Sequence, residues 1–182
     1  MNRSILVIAG TNRPKSNAKR VGEALLANYR ALSVPAELLS LQDLPAEAFL
    51  PETYASKPAS VQAIQQRVLA ASGLHVVTPE YNGSFPGVLK YFIDLLKFPD
   101  SFETKPVAFV GEAAGVWGGL RAVEQLQMIF GYRNAHVFPD RVFIPQVNAK
   151  LDAEGNIIDA DIAKRLTAQC EGFAKFVGVV SA

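Results

Sequence analysis

The chain has one cysteine, Cys170, in 182 residues, so it can form neither an intrachain disulfide nor a cysteine-based metal site. It has two histidines, His75 and His136, far apart in sequence and each at the start of an apolar stretch. They read as strand-end histidines, and no metal site is expected. No apolar run is long enough to cross a bilayer. Charge of one sign is also lacking: 18 basic and 17 acidic side chains leave a formal net charge of +1. That balance gives no global argument for nucleic acid or a membrane surface as a partner. The apolar run after Met-Asn-Arg-Ser is short and leads straight into Gly10-Thr11-Asn12-Arg13, so a first core strand fits it better than a signal peptide. The unpaired cysteine fits a reducing, cytoplasmic setting.

What is present is an apolar chain with regular punctuation. Hydrophobic residues make up 49% of it, enough for a single domain over 1–182 with a substantial core. Ser4 to Ala9 is a continuous apolar strand, which points to a parallel sheet covered on both faces. Ser16 is a candidate N-cap, and Ala18, Val21, Leu25 and Tyr29 follow at helical spacing. Further strands are expected at 36–41, 74–78, 107–110 and 135–138, the last extended by 141–144 after a Pro139-Asp140 kink. Helices are expected around 61–69, from Ser84 to the Phe98-Pro99 pair, over 120–130 with Gly131 as C-terminal cap, and over 162–177. Residues 44–58, with three prolines and no clear period, read as a surface loop. Cys170 falls on the apolar face of the last helix and reads as core. Five alternations of strand and helix give an α/β fold with helices on both faces of a parallel sheet.

Three loops should gather at the carboxyl edge of that sheet, where open α/β sheets bind ligands. Gly10 to Asn17 precedes a helix N-terminus, which favours a phosphate. Thr11, Ser16 and Asn17 add side-chain donors, and Arg13 adds a forked, charged one. The spacing matches neither Gly-x-x-x-x-Gly-Lys-Ser/Thr nor Gly-x-Gly-x-x-Gly, so a single phosphate fits better than a triphosphate or a Rossmann-bound dinucleotide. In the second loop Tyr81 offers a flat aromatic face, Asn82 both donates and accepts, and Gly83 admits a close approach to backbone. Glu80 is the only carboxylate there; shaping the turn or binding backbone N–H groups suits it better than general-base work. The third loop, 111–119, has four glycines and two alanines. Two roles stand for Trp117 within it: stacking on a flat ring, or anchoring the next helix.

Two of these loops carry a resemblance. Gly10-Thr11-Asn12-Arg13-Pro14-Lys15-Ser16 resembles the Gly-Ser-x-Arg-x-x-Ser phosphate loop of the NADPH-dependent FMN reductase family. Residues 79–90, Pro-Glu-Tyr-Asn-Gly-Ser-Phe-Pro-Gly-Val-Leu-Lys, are similar to that family's longer flavin loop. The resemblance implies a flavodoxin-like three-layer sandwich with strand order 2-1-3-4-5 and FMN at the switch point between strands 1 and 3. It implies that Thr11, Arg13, Ser16 and Asn17 hold the FMN phosphate. It further implies that Pro79, Glu80, Tyr81, Asn82 and Gly83 border the isoalloxazine, with Gly115 and Gly118 on its other edge. A homodimer or homotetramer through helices 84–97 and 119–131 is implied as well. The broad apolar surface from Phe85 to Leu96 agrees independently, unless a long loop covers it. The chain departs from the family pattern at Tyr91-Phe92-Ile93-Asp94-Leu95 and at Ala113-Ala114.

The implied activity is an NAD(P)H oxidoreductase. Hydride from NADPH or NADH would reach flavin N5, then a small acceptor in the same place, by a ping-pong scheme. Quinone, free flavin, azo compound and chromate are the acceptor classes of the superfamily. No protein side chain is expected to be catalytic. Two other readings compete. A flavodoxin-type electron carrier would hold FMN without turnover of its own, but Arg13 in the phosphate loop and the charge of +1 favour the reductase. The other is a binding or assembly module on the same fold.

Overall fold

The computed structural model describes residues 4–180. Its element order is β1 (Ile5–Ala9), α1 (Asn17–Ala31), β2 (Ala36–Ser40), α2 (Ala59–Ala70), β3 (Gly73–Pro79), α3 (Gly87–Leu95), β4 (Pro106–Glu112), α4 (Leu120–Tyr132), β5 (His136–Ile144) and α5 (Ala160–Val180). The strands form one parallel sheet in the order β2-β1-β3-β4-β5. The chain runs from β1 outward to β2, then crosses to β3 on the other side. The loops after β1 and β3 therefore diverge and leave a crevice between them.

Alternation within β1 shows why the sheet needs two covers. Ile5 and Val7 face α1 and α5, while Leu6 and Ile8 face α2, α3 and α4. The stripe Ala18, Val21, Leu25, Tyr29 is buried as expected, and Ser16 caps α1 by accepting from the Lys19 N–H at 3.3 Å. The expected extension of the fifth strand is present. A register shift between Val107 and Phe109 absorbs Pro139 and Asp140 at the sheet's edge, where a missing N–H is tolerated.

Four expectations need correction. Residues 44–58 are not an irregular loop: short 3-10 turns occupy Ala46–Phe49 and Pro51–Tyr54 and bury Ala48 and Thr53. This segment covers the outer side of α3. Phe49 stacks on Tyr91 at 5.2 Å between ring centroids, the Tyr91 hydroxyl donates to Ala48 O at 2.7 Å, and Leu95 packs with Ala48 and Val61. Only Gly87, Lys90 and Asp94 of α3 stay exposed, the last two as an ion pair at 2.8 Å. The apolar breadth of α3 is thus used within the chain and calls for no second subunit. α3 itself is shorter than expected; it opens at Gly87 behind Pro86 and ends at Leu95. Gly131 lies inside α4, and Asn134, with φ 60°, takes the left-handed position after it.

The fourth correction is His75. It is the third residue of β3, fully buried, and not a strand-end group. Gln169 of α5 donates through Nε2 to Phe109 O (3.0 Å) and Asp140 O (2.9 Å), which orients its Oε1 toward His75. His75 Nε2–H therefore donates to Gln169 (3.2 Å), and Nδ1 accepts from the Tyr29 hydroxyl (2.7 Å). Burial in this neutral network pushes the imidazole down to about 4. Burial also raises the Cys170 thiol to about 12, which leaves it a core residue as expected. His136, at the first position of β5, is exposed.

Candidate functional site

A polar cleft of about 490 Å³ opens where the loops after β1, β3 and β4 meet. Its walls include Arg13, Ser16 and Asn17 from the first loop and α1, Pro79, Glu80 and Tyr81 from the end of β3, and Glu112 from the end of β4. The size is that of a pocket for a small organic ligand. Its position follows from the crossover of the chain at β1.

The first loop is fastened at both ends. Gln42 Nε2 donates to Arg13 O at 2.8 Å, and Asn17 Nδ2 donates to Asn148 Oδ1 at 2.9 Å. Ser16 accepts from Lys19 N–H, so its own hydroxyl proton is free to donate into the cleft. The Arg13 guanidinium lies 5.9 Å from the centre of the Tyr81 ring. Lys15 and Arg20 also line the cleft, so its α1 side is basic. Thr11 is placed differently. It is 1% exposed, behind the wall, where its hydroxyl accepts from Arg13 N–H (3.3 Å) and meets the Tyr81 hydroxyl at 3.2 Å. It ties the first loop to the second.

The second loop is a two-residue hairpin. Tyr81 and Ser84 exchange both backbone hydrogen bonds, at 2.8 and 3.1 Å, around Asn82 (φ 53°) and Gly83 (φ 75°). Asn-Gly with both φ positive is the chemistry of a tight I′ turn. That accounts for both residues, which sit at the hairpin tip and not in the cleft wall. α4 holds the hairpin: Gln125 donates to Gly83 O (3.3 Å) and accepts from the Ser84 hydroxyl (2.5 Å). Glu80 accepts from Arg121 N–H (3.3 Å) and pairs with its guanidinium (3.2 Å). The carboxylate thereby caps the N-terminus of α4, the turn-shaping role expected of it.

In the third loop Gly118 (φ 59°) and Gly119 (φ 89°) press against the ends of β4 and β5. A Cβ on Gly118 would lie 2.8 Å from Pro145 N, and one on Gly119 would lie 2.6 Å from Glu112 N. Gly115 is exposed, with space around it, and its carbonyl accepts from Gln146 N–H at 3.1 Å. Neither Gly115 nor Gly118 lines the cleft; Ala113 and Ala114 do. Trp117 neither stacks in the cleft nor anchors in the core. Its indole is 58% exposed, with the Arg121 guanidinium 5.9 Å from the ring centre.

In the sequence Glu112 falls in the small-residue loop 111–119, where glycine and alanine carry the pattern; the structure instead makes it the last residue of β4. The structure buries it to 5% exposure at the back of the cleft. Its carboxyl group faces the Ala18 N–H in the first turn of α1 and the charge of Arg13. Desolvation outweighs both and pushes it up to about 7. The first turn of α1 and Arg13 each favour negative charge at this point of the cleft, against the burial. Among the described residues no group of three or more acidic, histidine or cysteine side chains could hold a metal ion. No described helix is long and apolar enough to cross a membrane.

Comparison with known proteins adds to this geometry. The family model described as NADPH-dependent FMN reductase matches residues 3–149. A quinone reductase of Escherichia coli (strain K12) is 37% identical over 124 residues, which span 66% of this chain and 66% of that protein. A 2-hydroxy-1,4-benzoquinone reductase of a Burkholderia species is 30% identical over 178 residues, 95% of each chain. Among solved structures, FerB of Paracoccus denitrificans, described as a flavoenzyme NAD(P)H:(acceptor) oxidoreductase, superposes with a TM-score of 0.81. It is 25% identical, with 97% of each chain covered.

Proposed function

The chain belongs to the NADPH-dependent FMN reductase family, and from that membership we propose that it is an FMN-dependent NAD(P)H oxidoreductase whose acceptor is a small molecule, with a quinone the first choice. One observation carries the reading: the head of α1, Arg13 and the end of β3 converge on one cleft at the crossover point of the sheet. When bound there, FMN would supply the redox chemistry that links NAD(P)H to the acceptor.

The chain's own residues would bind and orient. Arg13, Ser16 and Asn17 stand where a phosphate would lie, with Lys15 and Arg20 adding positive charge. Thr11 supports this wall from behind through Tyr81 and Arg13 N–H. Pro79, Glu80 and Tyr81 would border the ring on one side and Ala113 and Ala114 on the other. Asn82, Gly83, Gly115 and Gly118 would set the shape of these loops. Glu80 is engaged by Arg121 and so is not offered as an acid or base. Residues 1–182 would act as one domain.

A homo-oligomer is supported by α4 and not by α3. Met128 (74% exposed) and Tyr132 (80%) follow Arg121 and Gln125 along one outer stripe. Exposed Phe98 joins Tyr132 through Arg133, whose guanidinium lies 4.4 Å from the Phe98 ring centre. A second copy of the chain is the occupant we propose for this stripe. Light scattering should show more than 19.7 kDa per particle. Met128→Glu with Tyr132→Glu should then return it to a monomer, and an unaltered monomer would remove the proposal.

The activity test is aerobic NAD(P)H oxidation by the FMN-loaded protein, with and without a quinone. Quinone-dependent turnover is expected. FMN binding with negligible turnover would make the protein an electron carrier, and failure to bind FMN would leave an assembly module.

A further inference from the structure

The cleft contains a group that competes with its proposed ligand. Glu112 ends β4, is 95% removed from solvent by its 5% exposure, and presents its carboxyl group to the Ala18 N–H and to Arg13. The same helix end and the same guanidinium are what a flavin phosphate would use. The site cannot satisfy two anions side by side: a dianionic phosphate and an ionised carboxylate would repel across a poorly solvated gap. We infer that Glu112 couples binding of the flavin phosphate to uptake of one proton, so that FMN enters as Glu112 becomes a neutral acid. This rests on the FMN reading of the cleft.

The surroundings make Glu112 the group that takes the proton. Arg13 and Lys15 face the cleft from the loop after β1, and Arg20 from α1; all three are cations already and gain nothing. From the end of β3 come Tyr81, whose hydroxyl meets Thr11, and Glu80, which Arg121 of α4 holds as an ion pair at 3.2 Å. Asn148, on the far wall, does not titrate. Among the described residues Glu112 has no cation in salt-bridge contact, and burial has already brought it to about 7; the phosphate charge must carry it past about 9 for the proton to be held at pH 8. Protonated, the acid also gains a donor and can hydrogen-bond a phosphate oxygen instead of repelling it.

The coupling makes FMN affinity fall as pH rises, while riboflavin, with no phosphate, lacks the effect. A phosphate monoester is fully dianionic above its second pKa of about 6, so between pH 7.5 and 8.5 the ligand itself contributes no proton. Calorimetric titration of the flavin-free protein with FMN at pH 8, in HEPES and in Tris, reads the protons taken up from the difference in buffer ionisation heat. Close to one proton is expected for FMN and none for riboflavin. The FMN Kd should rise about tenfold from pH 7.5 to 8.5 relative to riboflavin, the signature of one linked proton. In Glu112→Gln the uptake and the slope should vanish, and FMN should bind more tightly than to the unaltered protein at pH 8.5. Glu112→Ala serves if the glutamine variant does not fold. Tight FMN binding with no proton uptake, or uptake that persists in the variants, overturns the inference alone. If neither flavin binds at any pH, the FMN reading falls, and this inference with it.

Discussion

His75 and Glu112 should place opposite pH slopes on the stability of the flavin-free chain. Burial holds His75 at about 4 against an ordinary 6.5. The unfolded chain therefore takes up that proton first. The stability His75 contributes as a neutral group is complete above pH 6.5 and is lost as pH falls toward 4. Glu112 stands at about 7 against an ordinary 4.5. Here the folded chain takes up the proton first, so its contribution is complete below pH 4.5 and is lost as pH rises through 7. At 1.36 kcal/mol per pKa unit each displacement amounts to about 3 kcal/mol in full, and to about 2 kcal/mol between pH 5 and 7. The two nearly cancel, so these groups should leave the unaltered chain with little pH dependence in that window. Glu112→Gln should unmask the histidine: stability should climb by about 2 kcal/mol from pH 5 to 7. His75→Phe should show the reverse slope, above a constant loss of about 1–3 kcal/mol from leaving Gln169 Oε1 unpaired, while Tyr29 keeps its bond to Cys170. Urea unfolding followed by circular dichroism at pH 5, 6 and 7 measures all three. A Glu112→Gln variant whose stability does not change with pH would refute the reasoning for His75.

Arg13→Ala should weaken FMN binding about ten- to a hundredfold by removing a charge-assisted phosphate contact; flavin fluorescence titration should show riboflavin nearly unchanged, and equal losses would place Arg13 away from the phosphate. Tyr91→Phe removes the bond to Ala48 O and should cost about 1 kcal/mol; limited proteolysis should then cut first within 46–54. Gly119→Ala places a Cβ 2.6 Å from Glu112 N at φ 89°, so a drop of several degrees in melting temperature is expected, together with weaker FMN binding as the floor of the cleft shifts.

The sheet and its two helical covers were legible because each strand has an apolar run at its centre and the helices repeat near 3.6 residues. The crossover cleft followed from strand order. Three features were not legible, each for a physical reason. The 46–54 segment has no period, since 3-10 turns are too short to show one; its burial comes from meeting Tyr91, far away in sequence. In sequence Asn82 and Gly83 read as ligand contacts, although Asn-Gly is also the composition of a tight hairpin, and the structure uses it so. His75 reads as a strand-end residue and Glu112 as one polar position in a small-residue loop. Their importance lies in partners on α1 and α5, which no local pattern around positions 75 and 112 encodes.

The Tyr29–His75–Gln169 network also bears on how β3 finds its register. A strand apolar at nearly every position is degenerate: shifted by one residue, Leu74, Val76 and Val77 would still meet oil on whichever face they turned to. His75 breaks that degeneracy. In the native register it stands beside Val7 and Ala108 on the side of α1 and α5, where both ring nitrogens are met. One step along, the imidazole would turn toward the layer of Val123, Leu126 and Phe130, which offers no polar side chain among those three. Stranding it there costs on the order of 2–7 kcal/mol, comparable to the whole stability of many small domains. A single polar side chain thus acts as the key that lets one alignment of an otherwise interchangeable strand close and shuts out its neighbours.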